Sequence, residues 1–302
     1  MLAIAHITDF GAAFFYQNLT FPKYRRLLLN NGKLDTRTVA VGASESGQPI
    51  GLALAEIGQF GQQAKVLSIY VAPQHRRKGV GTALLTHLEE ELASAGCTSA
   101  TLQYMTDQES LAAFERLLQT CHWNPPQFQQ LVCKCDRRTL TAPWLNMEFM
   151  LPPSFQIVPW EDITPDEKIW IQQSNQANSW IPPDLLPSIH EEDFEPLNSL
   201  GMRYQGRVIG WLITHRLAVD TIRYTCSYIR QDLQKAARII PMYAEAVKRQ
   251  KTAMPDSKAI WTVPKSHASM IAFVKKRLAS YMVSLEEGRG SSKQLSRVEV
   301  LR

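Results

Sequence analysis

The sequence predicts an α+β protein built from two diverged copies of one unit, and three observations lead there. Residues 36 to 136 alternate short β-rich runs with helical patterns. The same order of patterns recurs after residue 155. Between the two, Arg137 to Ser154 (RRTLTAPWLNMEFMLPPS) carries three prolines and interrupts both periodicities. The boundary is placed there, giving a first domain over 1–138, a linker over 139–154 and a second domain over 155–302. A chain of 302 residues with 45% hydrophobic content has the length and apolar fraction for two such domains.

Each element has its own local signal. Thr36 to Ser44 (TRTVAVGAS) and Pro49 to Gly58 (PIGLALAEIG) are β-rich runs joined by ESGQ, a hairpin signal. A third run, Lys65 to Ala72 (KVLSIYVA), stops at Pro73. From Thr82 the apolar set Leu84, Leu85, Leu88 and Leu92 recurs at helical spacing, with Glu89, Glu90 and Glu91 largely on the wet side, and Gly96 supplies the stop. A strand (Ser99 to Met105), a helix around Glu109 to Thr120 and a strand near Gln130 to Cys135 complete the first copy, an α+β unit on a central sheet. The second copy opens with a strand (Phe155 to Trp160) and a helix (Pro165 to Ala177), followed by a Pro-rich stretch from Trp180 to Pro196 that reads as a packed irregular connection. Then RYQGRVIGWLITHRL (Arg203 to Leu217) repeats the form of SESGQPIGLALAEI, and TIRYTCSYI with a helical run to about Arg249 repeats the next two elements.

Composition excludes several classes. No window approaches the roughly 18 uninterrupted apolar residues of a membrane span, and MLAIAHITDF has neither a basic n-region nor a small-residue cleavage site, so a cytoplasmic protein that engages no membrane is expected. The five cysteines form no CxxC pair and no paired ligand spacing, so buried reduced thiols and no metal are expected. Cys133 and Cys135, two apart, fall on one strand face as core residues. The net charge of +5 is diffuse, and the basic triplet Arg76, Arg77, Lys78 lacks aromatic interleaving, which argues against a nucleic-acid partner.

The chemistry concentrates in QHRRKGVGTALL, Gln74 to Leu85. A strand ending just before a Gly-containing loop aims the amides that open the next helix at one point, where they act as unpaired donors backed by a partial positive charge. Gly79 and Gly81 let the backbone reach a phosphate with no Cβ in the way, and the three basic residues add charge-assisted hydrogen bonds. Neither a Walker loop nor a dinucleotide fingerprint is present, since the third glycine of the latter would fall on Leu84.

What remains, Arg-x-x-Gly-x-Gly at Arg76 to Gly81 between a strand and a helix, resembles the acyl-CoA motif of the GCN5-related N-acetyltransferases. The resemblance covers residues 1 to 136 by element order and is strong over Lys65 to Gly96. It implies an acyl-CoA N-acyltransferase (GNAT) fold, a mixed and mostly antiparallel sheet flanked by helices, in each copy. It also implies acetyl-CoA as cosubstrate and an amine-bearing small molecule or peptide as acceptor. By the same resemblance Arg76, Arg77, Lys78, Gly79, Val80, Gly81 and Thr82 hold the pyrophosphate, while Ile69, Tyr70 and Val71 line the pantetheine arm. In the second copy Gln234, Ala237 and Ile239 stand where Arg76, Gly79 and Gly81 stand in the first, and Pro241 comes early in the helix. That copy is expected to be degenerate and to bind no CoA.

Acetyl transfer needs a neutral amine, a stabilised oxyanion and a protonated leaving thiolate. The family's usual Glu and Tyr positions hold Lys65 and Leu118, with His122 at the position of a following Gly. Glu56, on the neighbouring strand, is the candidate base, against the alternative of a sheet carboxylate. Tyr104 is the candidate acid, against the alternative of a packing aromatic. His75 and His122 offer proton shuttling but read first as surface and helix-end residues, and Cys121 reads as buried. A non-catalytic acyl-CoA sensor or scaffold is the competing class. Trp144, Phe149 and Met150 in the linker mark an interdomain or intersubunit contact, leaving a homodimer open.

Overall fold

Hydrophobic alternation and turn chemistry deliver the expected elements almost in place. The computed structural model describes residues 1–29, 37–143, 151–234 and 239–295. The chain opens with β1 (Leu2–His6), α1 (Phe10–Tyr16) and α2 (Pro22–Leu29), then β2 (Thr38–Glu45), β3 (Gln48–Ile57) and β4 (Gln63–Val71). It continues with α3 (Val80–Ser94), β5 (Ser99–Met105), α4 (Leu111–Thr120) and β6 (Gln127–Cys135). The later elements are β7 (Phe155–Pro159), α5 (Pro165–Asn178), β8 (Leu200–Tyr204), β9 (Arg207–Ala218), β10 (Thr221–Ile229), the short α6 (Gln231–Gln234), α7 (Ile239–Ala253), β11 (Lys258–Pro264), α8 (Ala268–Phe273) and β12 (Ser284–Gln294).

Two compact units result, and they are not the contiguous segments that the linker prolines suggest. One unit is Met1–Gln129 with Glu287–Arg302; the other is Gln130–Glu286. The physical reason is strand pairing. The outer edge of β5 is filled by β12, from Gly288 opposite Met105 to Gln294 opposite Ser99, although the two strands are far apart in sequence. Residues Gln130 to Cys135 of β6 pair instead with β11. A hydrogen-bonding edge must be satisfied by some strand, and composition around a linker does not say which one.

In the first unit the strand order is β1-β2-β3-β4-β5-β12, antiparallel except for the β4/β5 pair. Alternation along β3 splits its side chains between two faces. Ile50, Ala53 and Ala55 join Leu84, Leu88 and Leu92 of α3 in one cluster, while Leu52 and Leu54 join Ala13 of α1 and Leu28 of α2 in another. The β2/β3 hairpin turns on Ser46 (φ 51°) and Gly47 (φ 78°), the doubly positive pair that a two-residue primed turn requires. Gly96 (φ 93°) ends α3 in the left-handed conformation, with the Cys97 amide donating to the Leu92 carbonyl at 3.0 Å.

The second unit repeats this plan in the order β7-β8-β9-β10-β11-β6, again antiparallel except for one pair, β10/β11. Thr164 and Glu167 close α5 with a reciprocal capping box. The Pro-rich stretch packs: Trp180, Leu185 and Leu186 lie against a core of Trp160, Trp211 and Tyr228, and the Trp211 indole donates to the Leu185 carbonyl at 3.0 Å. Trp144, Phe149, Met150 and Ala237 lie outside the described residues. Among the described residues no helix is long and apolar enough to cross a membrane.

Candidate functional site

A parallel strand pair that comes apart positions the site. β4 and β5 are in register only from Gln63 opposite Ser99 to Val66 opposite Leu102. Beyond that, Leu67 to Val71 and Gln103 to Met105 run on without pairing to each other. The cause sits at the branch point: Leu54 opposes Ser68 and Ala55 opposes Val66, so Leu67 is an extra residue, a β-bulge that turns β4 away from β5. Beside it Ser68 and Thr20, both buried, share a hydrogen bond of 2.7 Å that ties the bulge to the segment after α1. The gap leaves the β5-facing backbone groups of Leu67 to Val71, including Ile69, Tyr70 and Val71, without a strand partner on that side.

The loop expected to hold an anion closes this gap at its wide end. Arg77 (φ 63°) and Gly79 (φ 81°) both take positive φ, and Gly79 caps α3 with no side chain covering the helix start. The first intrahelical bond runs from the Ala83 amide to the Gly79 carbonyl at 3.0 Å. The amides of Val80, Gly81 and Thr82 therefore have no intrahelical acceptor. A Cβ built at Gly81 meets nothing closer than Leu117 Cδ2 at 3.6 Å and Val71 Cγ2 at 3.8 Å, so no close neighbour within the protein demands glycine there. Arg76 braces the loop, its Nε donating to the Val71 carbonyl at 2.9 Å. Among the described residues no carboxylate pairs with Arg76, Arg77 or Lys78, all exposed, whereas neighbouring His75 lies 3.3 Å from Glu45. Three cations without a carboxylate partner thus stand in the loop that leads into three unpaired amides.

The candidate proton carriers fall at different depths. Glu56 sits opposite Lys65, one residue before the last paired position, so it is near the branch point. Tyr104 lies past the branch on β5, where its hydroxyl donates to Glu115 Oε1 at 2.8 Å and its ring meets Phe114 edge-on at 5.0 Å. Burial and the adjacent Glu115 carboxylate push the Tyr104 phenol well above its usual range, so it stays protonated. Arg289 of β12 donates to the same Glu115 oxygen at 2.9 Å. Lys65 is exposed, Leu118 is buried in the α3 cluster, and His122 is an exposed residue in left-handed conformation (φ 57°) after α4. All five cysteines are free and buried, and burial pushes up the Cys121 thiol, with the Glu89 charge adding to it. Among the described residues no group of three or more His, Cys, Asp or Glu side chains is placed to hold a metal.

Sequence reasoning missed the Tyr104, Glu115 and Arg289 cluster and the pairing of Ser68 with Thr20. Glu115 carries the signature of a wet helix position, and Arg289 stands 174 residues further along the chain. No local pattern links them.

Comparison with known proteins places this architecture. Residues 6–118 match the model of the Acetyltransferase (GNAT) family. These residues are a GNAT domain. Among solved structures, a tandem GNAT protein from the clavulanic acid biosynthesis pathway superposes with a TM-score of 0.66 at 13% identity, covering 98% of this chain and 99% of that one. A GCN5-related N-acetyltransferase from Sphaerobacter thermophilus gives 0.57 at 15% identity over 97% and 96% of the two chains. A glucosamine N-acetyltransferase region of a fungal multi-domain GH3 β-N-acetylglucosaminidase gives 0.60 at 14% identity over 97% of this chain and 38% of that one. At these identities the likeness shows the fold: GNAT units in tandem. No curated protein matches the sequence.

The second unit shares the GNAT branch point. β10 and β11 are in register only from Thr221 opposite Lys258 to Tyr224 opposite Trp261, and Thr225 is an extra residue between Tyr224 and Cys226 against Thr214 and Ile213 of β9. Where the first unit places Gly81, the sequence alignment places Ile239, which begins the described part of α7, and Pro241 is buried two residues on.

Proposed function

We propose that the first unit holds acetyl-CoA and moves its acetyl group to a primary amine by direct attack. The observation that carries this reading is the parting of β4 from β5 after Val66, with the uncapped start of α3 and three unpaired cations at its wide end. When bound, the cosubstrate supplies an activated thioester carbonyl. Val80, Gly81 and Thr82 offer amides to its pyrophosphate, and Arg76, Arg77 and Lys78 add charge-assisted bonds. The unpaired edge of Leu67 to Val71 offers donors and acceptors to the pantetheine amides, as an added strand would receive. Glu56, near the branch point, takes the amine proton through water, and Tyr104 delivers a proton to the leaving sulfur. The second unit, with Ile239 in place of a glycine, binds no CoA.

Calorimetric titration of acetyl-CoA into the wild type and Gly81→Asp tests this. One ligand per chain, abolished by the substitution, is expected, followed by CoA release with a member of an amine panel; absence of binding in the wild type refutes the reading. A second reading, a non-catalytic acyl-CoA sensor, draws on Lys65 and Leu118 occupying the positions of the family's proton carriers. It predicts the same binding with no CoA release for any amine.

A further inference from the structure

The second unit contains a cavity of about 330 Å³ between α7 and the α8 segment, above β11. Tyr243 and Val247 form one wall, Met270 and Phe273 the other, and Ala259 and Trp261 the floor. In the first unit Phe114, Leu117 and Leu118 of α4 belong to one hydrophobic cluster with Leu88 and Leu92 of α3.

The chemistry of the walls says what fits. Most of the polar groups that line the cavity already have partners within the protein. Tyr224 donates to Gln250 Oε1 at 2.9 Å, Gln250 Nε2 donates to Ser257 Oγ at 2.9 Å, and Thr139 donates to the Tyr281 carbonyl at 2.7 Å. The Tyr243 hydroxyl is shared with Ser227. Asp136 accepts the Arg138 amide at 2.8 Å and pairs with its guanidinium. Apart from the Trp261 indole and the exposed Ser269 hydroxyl, the lining offers a ligand few free polar partners, which favours an apolar buried part. One charge is different: Lys251, exposed at the rim on the last turn of α7, pairs with no carboxylate among the described residues. A dry cavity of about 150 Å³ accepts benzene, so the space here has room for a chain of about ten carbons.

We propose that this cavity is a binding site for a medium-length acyl chain whose anionic head lies at Lys251. The site is independent of the acetyl-CoA loop of the first unit, and its test is separable from the test of that loop. The ligand class is a free medium-chain carboxylate; decanoyl-CoA, whose CoA the second unit is read as not holding, is the contrasting ligand.

The experiment titrates the intact protein with carboxylates of six to fourteen carbons, with decanol and with decanoyl-CoA, reading Trp261 and calorimetric heat. Saturable binding is expected to tighten about fourfold per added methylene and then level off once the cavity is full. Val247→Trp and Met270→Trp, which fill the space from opposite walls, are expected to abolish it. Lys251→Glu, a surface change that leaves the core untouched, is expected to weaken decanoate at least tenfold and leave decanol unchanged. Decanoate binding that is lost in Val247→Trp and Met270→Trp and kept in Gly81→Asp supports the site. No saturable binding of decanoate, or binding insensitive to chain length and to all three substitutions, overturns the proposal.

Discussion

Replacing Gly81 by alanine should raise stability and lower acetyl-CoA affinity together, a combination that a structural glycine cannot give. Gly81 is the second residue of α3, and its added Cβ would meet Leu117 and Val71 only at 3.6 and 3.8 Å, ordinary van der Waals separations. Alanine there removes freedom from the unfolded chain and improves helix propensity, about 0.4–1 kcal/mol in favour of folding. For a chain of this size that is about 1–4 °C in Tm. The same methyl stands among the uncapped amides of Val80, Gly81 and Thr82, where a pyrophosphate must come into contact. Losing one charge-assisted amide bond costs about 1.5–3 kcal/mol, or about 10- to 150-fold in affinity. Gly79→Ala is the contrasting control, because φ is 81° there and a side chain is strained by about 1–2 kcal/mol whatever the space around it. Thermal unfolding by circular dichroism and titration calorimetry on the same preparations read both quantities. A Gly81→Ala protein that binds acetyl-CoA within twofold of the wild type refutes the cradle, and one that melts lower refutes the inference that no internal contact requires this glycine.

Tyr104→Phe removes the hydrogen bond to Glu115 while Arg289 keeps that carboxylate paired, so stability should fall by only about 1 kcal/mol. If Tyr104 is the proton donor, kcat drops at least tenfold with KM for acetyl-CoA unchanged; an unchanged kcat in steady-state assays removes it from the chemistry. Glu167, held below the usual carboxylate range chiefly by its hydrogen bond from Arg203, should make unfolding pH-dependent. Its folded pKa is depressed, so its contribution is complete above the unfolded value of about 4.3 and is lost as pH falls through the lower folded value. The gap between wild type and Glu167→Gln, about 1–2 kcal/mol at pH 7 in urea unfolding, should therefore narrow as pH falls below the unfolded value of about 4.3; a gap that does not narrow with acidification contradicts the assignment. Ending the chain at residue 286 removes the part of β12 that pairs with β5, along with the Lys293–Glu89 and Arg289–Glu115 ion pairs. Acetyl-CoA binding and the folded signal of the first unit should both be lost, and a truncated chain that binds normally would show that the first unit does not need β12.

Much of the fold is legible in sequence where the signal is local. The hairpin at Ser46 and Gly47, the Gly96 stop and the loop from Arg76 to Thr82 each depend on residues within a few positions of one another, and each appears in place. The bulge at Leu67 is not legible, because an extra residue in one strand shows only against the register of its partner. The assignment of β12 to the first unit and the Arg289–Glu115–Tyr104 cluster are hidden for a different reason: both are contacts between distant segments, and no periodicity encodes a partner. The elements after about Arg249 escape a sequence reading because KAIWTVP and the segment Ala268 to Leu278 give short, ambiguous patterns.

The two units share the branch point and differ in sequence at the start of the helix that follows. The branch point lies in the sheet, set by a single extra residue at Leu67 and at Thr225, each just past the last pair with the neighbouring strand. It depends on backbone registry and on the strands around it, so it survives any change at the helix start. The anion site depends instead on the loop between strand and helix: glycines without a side chain, an uncapped helix and unpaired cations. Ile239 and the buried Pro241 put apolar side chains at the described start of α7 in the second unit. Restoring glycine at Ile239 alone would not recreate the first unit's loop, because Gln234 stands where Arg76 does, and its amide donates to the Ile229 carbonyl at 2.8 Å.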